Sequence, residues 1–134
     1  MNKELIIKLI ERARGAAENA YCPYTDVAVG CGLLVEDNVI FVGCNIENGA
    51  LSASAEAGEV AVFSAISQGY MKFRAICFWS SKRMPYPSGR VRQILAEFCA
   101  KDDVTMIIAN DETYSLVSLG AIYPFAPEVG EIAE

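Results

Sequence analysis

The sequence predicts an α/β domain of three layers, with helices covering both faces of a mixed five-stranded sheet. Three observations carry that expectation. Apolar residues recur at helical spacing near the N-terminus. Short apolar runs bounded by turn residues then follow in the order α, β, β, α, β, α, β, β. Helices lying between strands require crossover connections, and these cover a sheet on its faces.

The first helix is expected over residues 2–20, where Leu5, Ile6, Leu9, Ile10, Ala13, Ala16, Ala17 and Ala20 form one apolar stripe. It ends at Tyr21-Cys22-Pro23-Tyr24, because the residue before proline avoids the helical region. Runs at 27–35 and 39–44, separated by Glu36-Asp37-Asn38, read as a hairpin. Ser54 is the expected cap of a second helix reaching Gln68 and stopped by Gly69, with acidic residues suited to its positive end. A buried strand is expected at 75–80 and a helix at 90–100, after the proline-punctuated loop 84–89. Strands at 105–109 and 114–117 and a short helical tail complete the order. With 134 residues, 53% of them hydrophobic, residues 1–134 suit a single domain around one core.

The formal charge of −6 disfavours nucleic acid and anionic membrane surfaces as partners. No run approaches the ~20 apolar residues of a membrane span, and residues 1–14 alternate charged and apolar side chains, so a cytoplasmic location is expected. The five cysteines, Cys22, Cys31, Cys44, Cys77 and Cys99, show no C-x-x-C spacing and read as small buried hydrophobes. Histidine is absent, which removes the commonest general base and metal ligand.

Tyr21-Cys22-Pro23-Tyr24 with Val29-Gly30, Gly43-Cys44-Asn45-Ile46-Glu47-Asn48, Ser67-Gln68-Gly69-Tyr70, and Arg92-Gln93-Ile94-Leu95-Ala96-Glu97-Phe98 together resemble the small tetrameric cytidine deaminases. The strings fall in that family's order and spacing across residues 5–128. The resemblance implies the cytidine deaminase-like α/β/α fold. It also implies a homotetramer or homodimer and a pocket for a nucleoside or analogue. Zinc deaminases hold a metal-bound hydroxide on three ligands, with a glutamate shuttling the proton, in the signature H/C-x-E and P-C-x-x-C. Aligned without gaps, the family's Cys-Ala-Glu falls on Glu56-Ala57-Gly58, and P-C-x-x-C falls on Pro87-Ser88-Gly89-Arg90-Val91. Reading Ser54-Ala55-Glu56 as a displaced Cys-Ala-Glu needs a two-residue shift on both sides and supplies no ligand. Where the family usually carries an arginine after its glutamate, this chain has Glu59. The expectation from these positions is that zinc is lost and that no cofactor is used.

By the same resemblance, Asn45 and Glu47 would bond the ribose hydroxyls, the Ala57 backbone would face the base, and Phe125 would stack on it across a subunit interface. Val27 stands where the family usually has a pocket-lining phenylalanine. Glu56 and Glu59 lie three apart at a helix start and need cationic partners, for which Arg90 and Arg92 are the candidates. Ser88 reads as the cap of the helix beginning at Arg90, beside the pocket. The leading expectation for function is a zinc-free homologue that binds a nucleoside without deaminating cytidine, its status as an enzyme left open. The alternatives are a metal-free hydrolase acting through Glu56 or Glu59, where paired carboxylates suffice, and a non-catalytic subunit of a deaminase oligomer.

Overall fold

The computed structural model describes residues 1–100 and 103–127. Its sheet has five strands in the order β2-β1-β3-β4-β5, with β1 at Gly30–Val35, β2 at Ile40–Cys44, β3 at Phe73–Trp79, β4 at Thr105–Ala109 and β5 at Tyr114–Ser118. β1 runs antiparallel to both β2 and β3, β3 and β4 are parallel, and β4 and β5 are antiparallel, so the sheet is mixed. The helices are α1 (Lys3–Ala17), α2 (Ala57–Ser67), α3 (Gly89–Phe98) and the short α4 (Leu119–Ile122). Among the described residues no helix is long and apolar enough to cross a membrane.

Alternation along the strands splits the core into two layers. Ile6, Leu9, Ala13 and Ala17 of α1 pack on Leu34, Ala75, Cys77, Trp79, Ile107 and Ala109. Residues one position away, Cys31, Leu33, Ile76, Phe78, Met106 and Ile108, face Ala61, Val62 and Ala65 of α2 and Val91 and Leu95 of α3. The three-layer expectation is met. Arg14 of α1 lies 5.7 Å over the Trp79 ring, a cation–π contact at the edge of the first layer.

Local boundaries differ in instructive ways. α1 begins after Asn2, whose side chain caps it through the Leu5 N–H at 2.8 Å. β1 starts at Gly30 and not at Val27, because the polar groups of 27–29 are taken up by a side chain, Asn45, and by Ser80. α2 starts at Ala57 with Glu56 in the cap position, not Ser54. The Ser54 hydroxyl instead accepts from Asn48 N–H at 2.9 Å and so pins the loop before the helix. α3 is capped by Ser88, as expected, and ends at Phe98. Gly69, at φ +92°, terminates the α2 segment in a conformation that glycine adopts without a Cβ penalty.

Candidate functional site

At one end of the sheet, where β1 begins and β2 and β3 finish, three loops meet around a cavity of about 320 Å³. They are 21–29, 45–56 and 80–88. The bridges Tyr21 to Ile46 and Ile46 to Ala55 lace the first two together. The third is tied to the first by Ser80 Oγ donating to Ala28 O at 2.9 Å, and by Lys82 Nζ donating to Asp26 O at 2.6 Å and Asp26 Oδ2 at 2.7 Å.

One wall of the cavity is built by Asn45 and Glu47. Asn45 Oδ1 accepts from Val29 N–H at 2.9 Å, and its Nδ2 donates to Val27 O at 2.8 Å. Glu47 Oε1 accepts from Tyr24 N–H at 2.9 Å and Thr25 N–H at 3.2 Å, while Oε2 accepts from the Thr25 hydroxyl at 2.5 Å. Both side chains therefore hold the loop, yet neither is exhausted. An amide nitrogen has a second hydrogen, and Asn45 Oδ1 and Glu47 Oε2 each keep a second lone pair, so one donor and two acceptors remain, a set that can serve a diol.

The hydrogen bond from the Thr25 hydroxyl pulls the Glu47 carboxyl below its ordinary value of 4.5. Partial desolvation opposes this shift, and the Thr25 and Tyr24 amides add to it. Because the folded value lies below the unfolded one, the contribution to loop order is full above the ordinary value and is lost as pH falls through the lowered one. In an acid titration followed by NMR, the Tyr24 and Thr25 amide resonances should move together, with a midpoint under 4.5. A midpoint at or above that value contradicts the assignment.

The floor is formed where two helix starts converge. The Ser88 hydroxyl donates to Glu56 Oε2 at 2.6 Å and accepts from Val91 N–H at 3.3 Å, so the cap residues of α2 and α3 are bonded to each other. Around them Gly58, Phe78 and Val91 close the floor with apolar surface, and Pro85 and Pro87 form a side wall.

The expected pairing of both acids with arginines holds for Glu59 alone. Glu59 is buried, accepts from Glu56 N–H at 2.7 Å and pairs with Arg90 Nε at 3.1 Å, facing away from the cavity. Glu56 takes a hydroxyl partner. Among the described residues Arg92 binds no carboxylate, donating instead to Pro87 O at 2.8 Å and Ile122 O at 2.6 Å and so tying α3 to α4. Val27, Asn45, Glu47 and Glu56 line the cavity, whereas Ala57 is buried in the core and Arg90 lies behind Glu59. Phe125 is 96% exposed and off the cavity, and Glu128, which follows its motif, lies outside the described residues.

Thr25, Arg83 and the proline wall belong to the site without having been singled out in the sequence. The prolines were visible only as loop punctuation, and nothing near Thr25 signals that it would clasp Glu47. The thiols take no part. Burial pushes Cys77 up to about 12 and Cys99 up to about 11, and raises Cys31 well above its ordinary range.

A family model described as the cytidine and deoxycytidylate deaminase zinc-binding region matches residues 3–107. A cytidine deaminase of Sporosarcina psychrophila is 44% identical over 93 residues, covering 69% of this chain and 68% of that protein. One from Halalkalibacterium halodurans is 36% identical over 103 residues, covering 76% of each. Among solved structures, the cytidine deaminase of Burkholderia pseudomallei has a TM-score of 0.85 at 32% identity, over 94% of this chain and 99% of that one. That of Mycobacterium tuberculosis has a TM-score of 0.81 at 28% identity, over 92% and 98%.

These matches overturn two expectations, that the chain is a zinc-free homologue outside cytidine deamination and that no cofactor is used. Both were inferred from a handful of aligned positions, while the likeness to a zinc-binding deaminase region runs through 105 residues, 3 to 107 inclusive. The alternatives attached to them, a metal-free hydrolase and a non-catalytic subunit, fall with them. The donor set on the floor is a separate observation. Val91 offers no donor, Ser88 and Glu56 are bonded to each other, and the described residues contain no group of three His, Cys, Asp or Glu placed to hold a metal ion. A tetrahedral zinc site needs at least three such ligands, so these residues do not fit one, and no step below is routed through a metal.

Proposed function

Because the chain belongs to the cytidine deaminase family, we propose that the cavity takes a pyrimidine nucleoside and that cytidine deamination, the activity in its relatives' names, is the reaction it serves. One observation supports this reading above the others. Asn45 and Glu47 stand on a single cavity wall, each fixed by loop hydrogen bonds and each with hydrogen-bonding capacity to spare. The sugar lies against that wall. The base extends toward the floor, where Phe78 and Val91 contact its faces and Glu56, oriented by Ser88, meets its polar edge.

In this reading the chain binds and orients. The Thr25 clasp keeps Glu47 ionised and aimed, and the two proline residues exclude water from one side of the base. A homotetramer or homodimer and a cytosolic setting belong to the same proposal. The exposed apolar side chains Leu51, Phe63 and Phe125 suit subunit contacts, and five unpaired cysteines suit a reducing compartment.

The test is to incubate the purified protein with cytidine and deoxycytidine, follow conversion to the uracil product, and measure binding of both by calorimetry. Binding and conversion are expected. Glu47→Ala should weaken binding roughly tenfold to a hundredfold, as for loss of a hydrogen bond to a charged group. Binding without product refutes the reaction, and absence of binding refutes the pocket assignment.

A further inference from the structure

Lys82 and Asp26 join two of the cavity's loops without lining it. Among the described residues Tyr24, Thr25 and Glu47 face the cavity, whereas Lys82 and Asp26 do not. The two ends of this link differ in rigidity. Two residues before Lys82, Ser80 is fully buried, its N–H donating to Ala109 O of β4 at 3.2 Å and its hydroxyl to Ala28 O at 2.9 Å, so Lys82 extends from a firmly anchored point just after β3. Asp26 lies in an exposed turn with left-handed backbone, φ +56°, a conformation that a residue with a Cβ keeps only where its surroundings over-determine it. Those surroundings are Cys22 O, which accepts from Asp26 N–H at 2.9 Å within the turn, and Lys82 Nζ, which donates to Asp26 O at 2.6 Å and Oδ2 at 2.7 Å from outside it. Hydrogen bonding to Lys82 first, and its charge second, hold the Asp26 carboxyl below its ordinary value. The residue before Asp26 is Thr25, whose N–H and hydroxyl both clasp Glu47.

We propose that Lys82 is a positioning residue for the sugar: by fixing the Asp26 turn it holds Thr25, and through Thr25 the Glu47 carboxylate, in the orientation that accepts a ring hydroxyl. This deepens the nucleoside reading above and rests on it. An ammonium group is a compact donor with three hydrogens, so one side chain serves the carbonyl and the carboxylate of Asp26 together and fixes both its backbone and its side chain. The rigidity of the sheet, taken up at Ser80, is thereby passed to a turn that has little packing of its own. The ion pair is exposed, its side chains 52% and 91% accessible, so salt screens it. Affinity for an uncharged nucleoside then falls as ionic strength rises, although the ligand itself carries no charge to screen.

The test has two arms, both on the full chain in wild type, Lys82→Met and Lys82→Arg. In the first, hydrogen exchange of the Tyr24 and Thr25 amides is followed without ligand, and Lys82→Met is expected to speed it roughly tenfold while the melting temperature stays within about 2 °C of wild type. In the second, cytidine and 2′,3′-dideoxycytidine, which lacks both ring hydroxyls, are titrated by calorimetry at low and high ionic strength. Lys82→Met should weaken cytidine roughly threefold to tenfold, leave the dideoxy ligand unchanged, and abolish the salt dependence of cytidine binding seen in wild type. Lys82→Arg, which keeps the charge and several donors, should restore most of both effects. Unchanged amide exchange in Lys82→Met, or equal weakening of the two ligands, overturns the positioning role while leaving the nucleoside reading intact. If wild type fails to bind cytidine, or binds both ligands alike, the nucleoside reading fails and the role given to Lys82 fails with it.

Discussion

Replacing Gly30 with alanine is expected to destabilise the fold by about 3 kcal/mol or more, the upper end of what overpacking a core costs. The new Cβ would stand 1.7 Å from the carbonyl oxygen of Ala13 and 2.8 Å from both the Ala13 carbonyl carbon and the Ala17 nitrogen. These are backbone atoms of α1 and cannot rotate away, so the helix has to lift off β1. Lifting it uncovers the layer in which Leu9 and Ala13 pack on Leu34 and Trp79. A fall in urea midpoint at unchanged m-value, with loss of Trp79 burial read by fluorescence, is the expected signature. Gly15→Ala is the control, because a Cβ there meets nothing within 4 Å and the residue lies inside α1. It should stabilise by roughly 0.5–1 kcal/mol, the ordinary helical preference of alanine over glycine. Equal midpoints for Gly30→Ala and wild type would show that α1 is not seated on β1 as described.

The close approach that makes Gly30 indispensable was not legible in the sequence, although the elements on either side of it were. Period-of-three-and-four apolar spacing located α1, and short apolar runs located every strand, because both signals report which side chains face a core. Boundaries failed where a side chain replaced a backbone partner. Residues 27–29 carry a strand-like pattern, yet Asn45 bonds both Val29 N–H and Val27 O, and the ladder begins only at Gly30. The same limit governed the cap of α2. Ser54 and Glu56 are both competent caps, and the choice fell to Glu56 because Asn48 captured the Ser54 hydroxyl.

In the site, residue identity indicated which groups gather but not how they pair. Asn45, Glu47 and Glu56 do line one cavity. The pairing of Glu59 with Arg90, and not with Arg92, depends on which faces of α2 and α3 meet, and that is a property of packing. The error about function had another source. A few substituted positions were given more weight than the frame around them, whereas the fold and most of the pocket strings place the chain with its relatives.

That frame makes one of those positions a sharp test. The gap-free reading of the sequence expects the family's proton-carrying glutamate at Gly58, and Gly58→Glu is the substitution that this expectation would offer to supply it. The structure predicts the opposite of a gain. A Cβ on residue 58 would meet Phe78 Cε1 and Val91 Cγ1 at 2.8 Å each and Phe78 Cζ at 3.3 Å, before any carboxylate is added. Phe78 and Val91 belong to the core layer that joins α2 and α3 to the sheet, 2% and 1% exposed, so neither can swing into solvent. Overpacking together with a carboxylate forced against apolar surface is expected to cost about 4 kcal/mol, which for a domain of this size lowers the melting temperature by roughly 14 °C. Nucleoside binding should weaken in parallel, since Phe78 and Val91 are also the cavity floor. The double variant Gly58→Glu with Phe78→Ala separates steric from electrostatic cost. Removing the ring opens the space, so the double variant should be more stable than the sum of the two single losses by about 1–2 kcal/mol. Additive losses would locate the conflict elsewhere than the Phe78 ring, and a Gly58→Glu protein melting within about 2 °C of wild type would mean that the floor is not packed as these distances require.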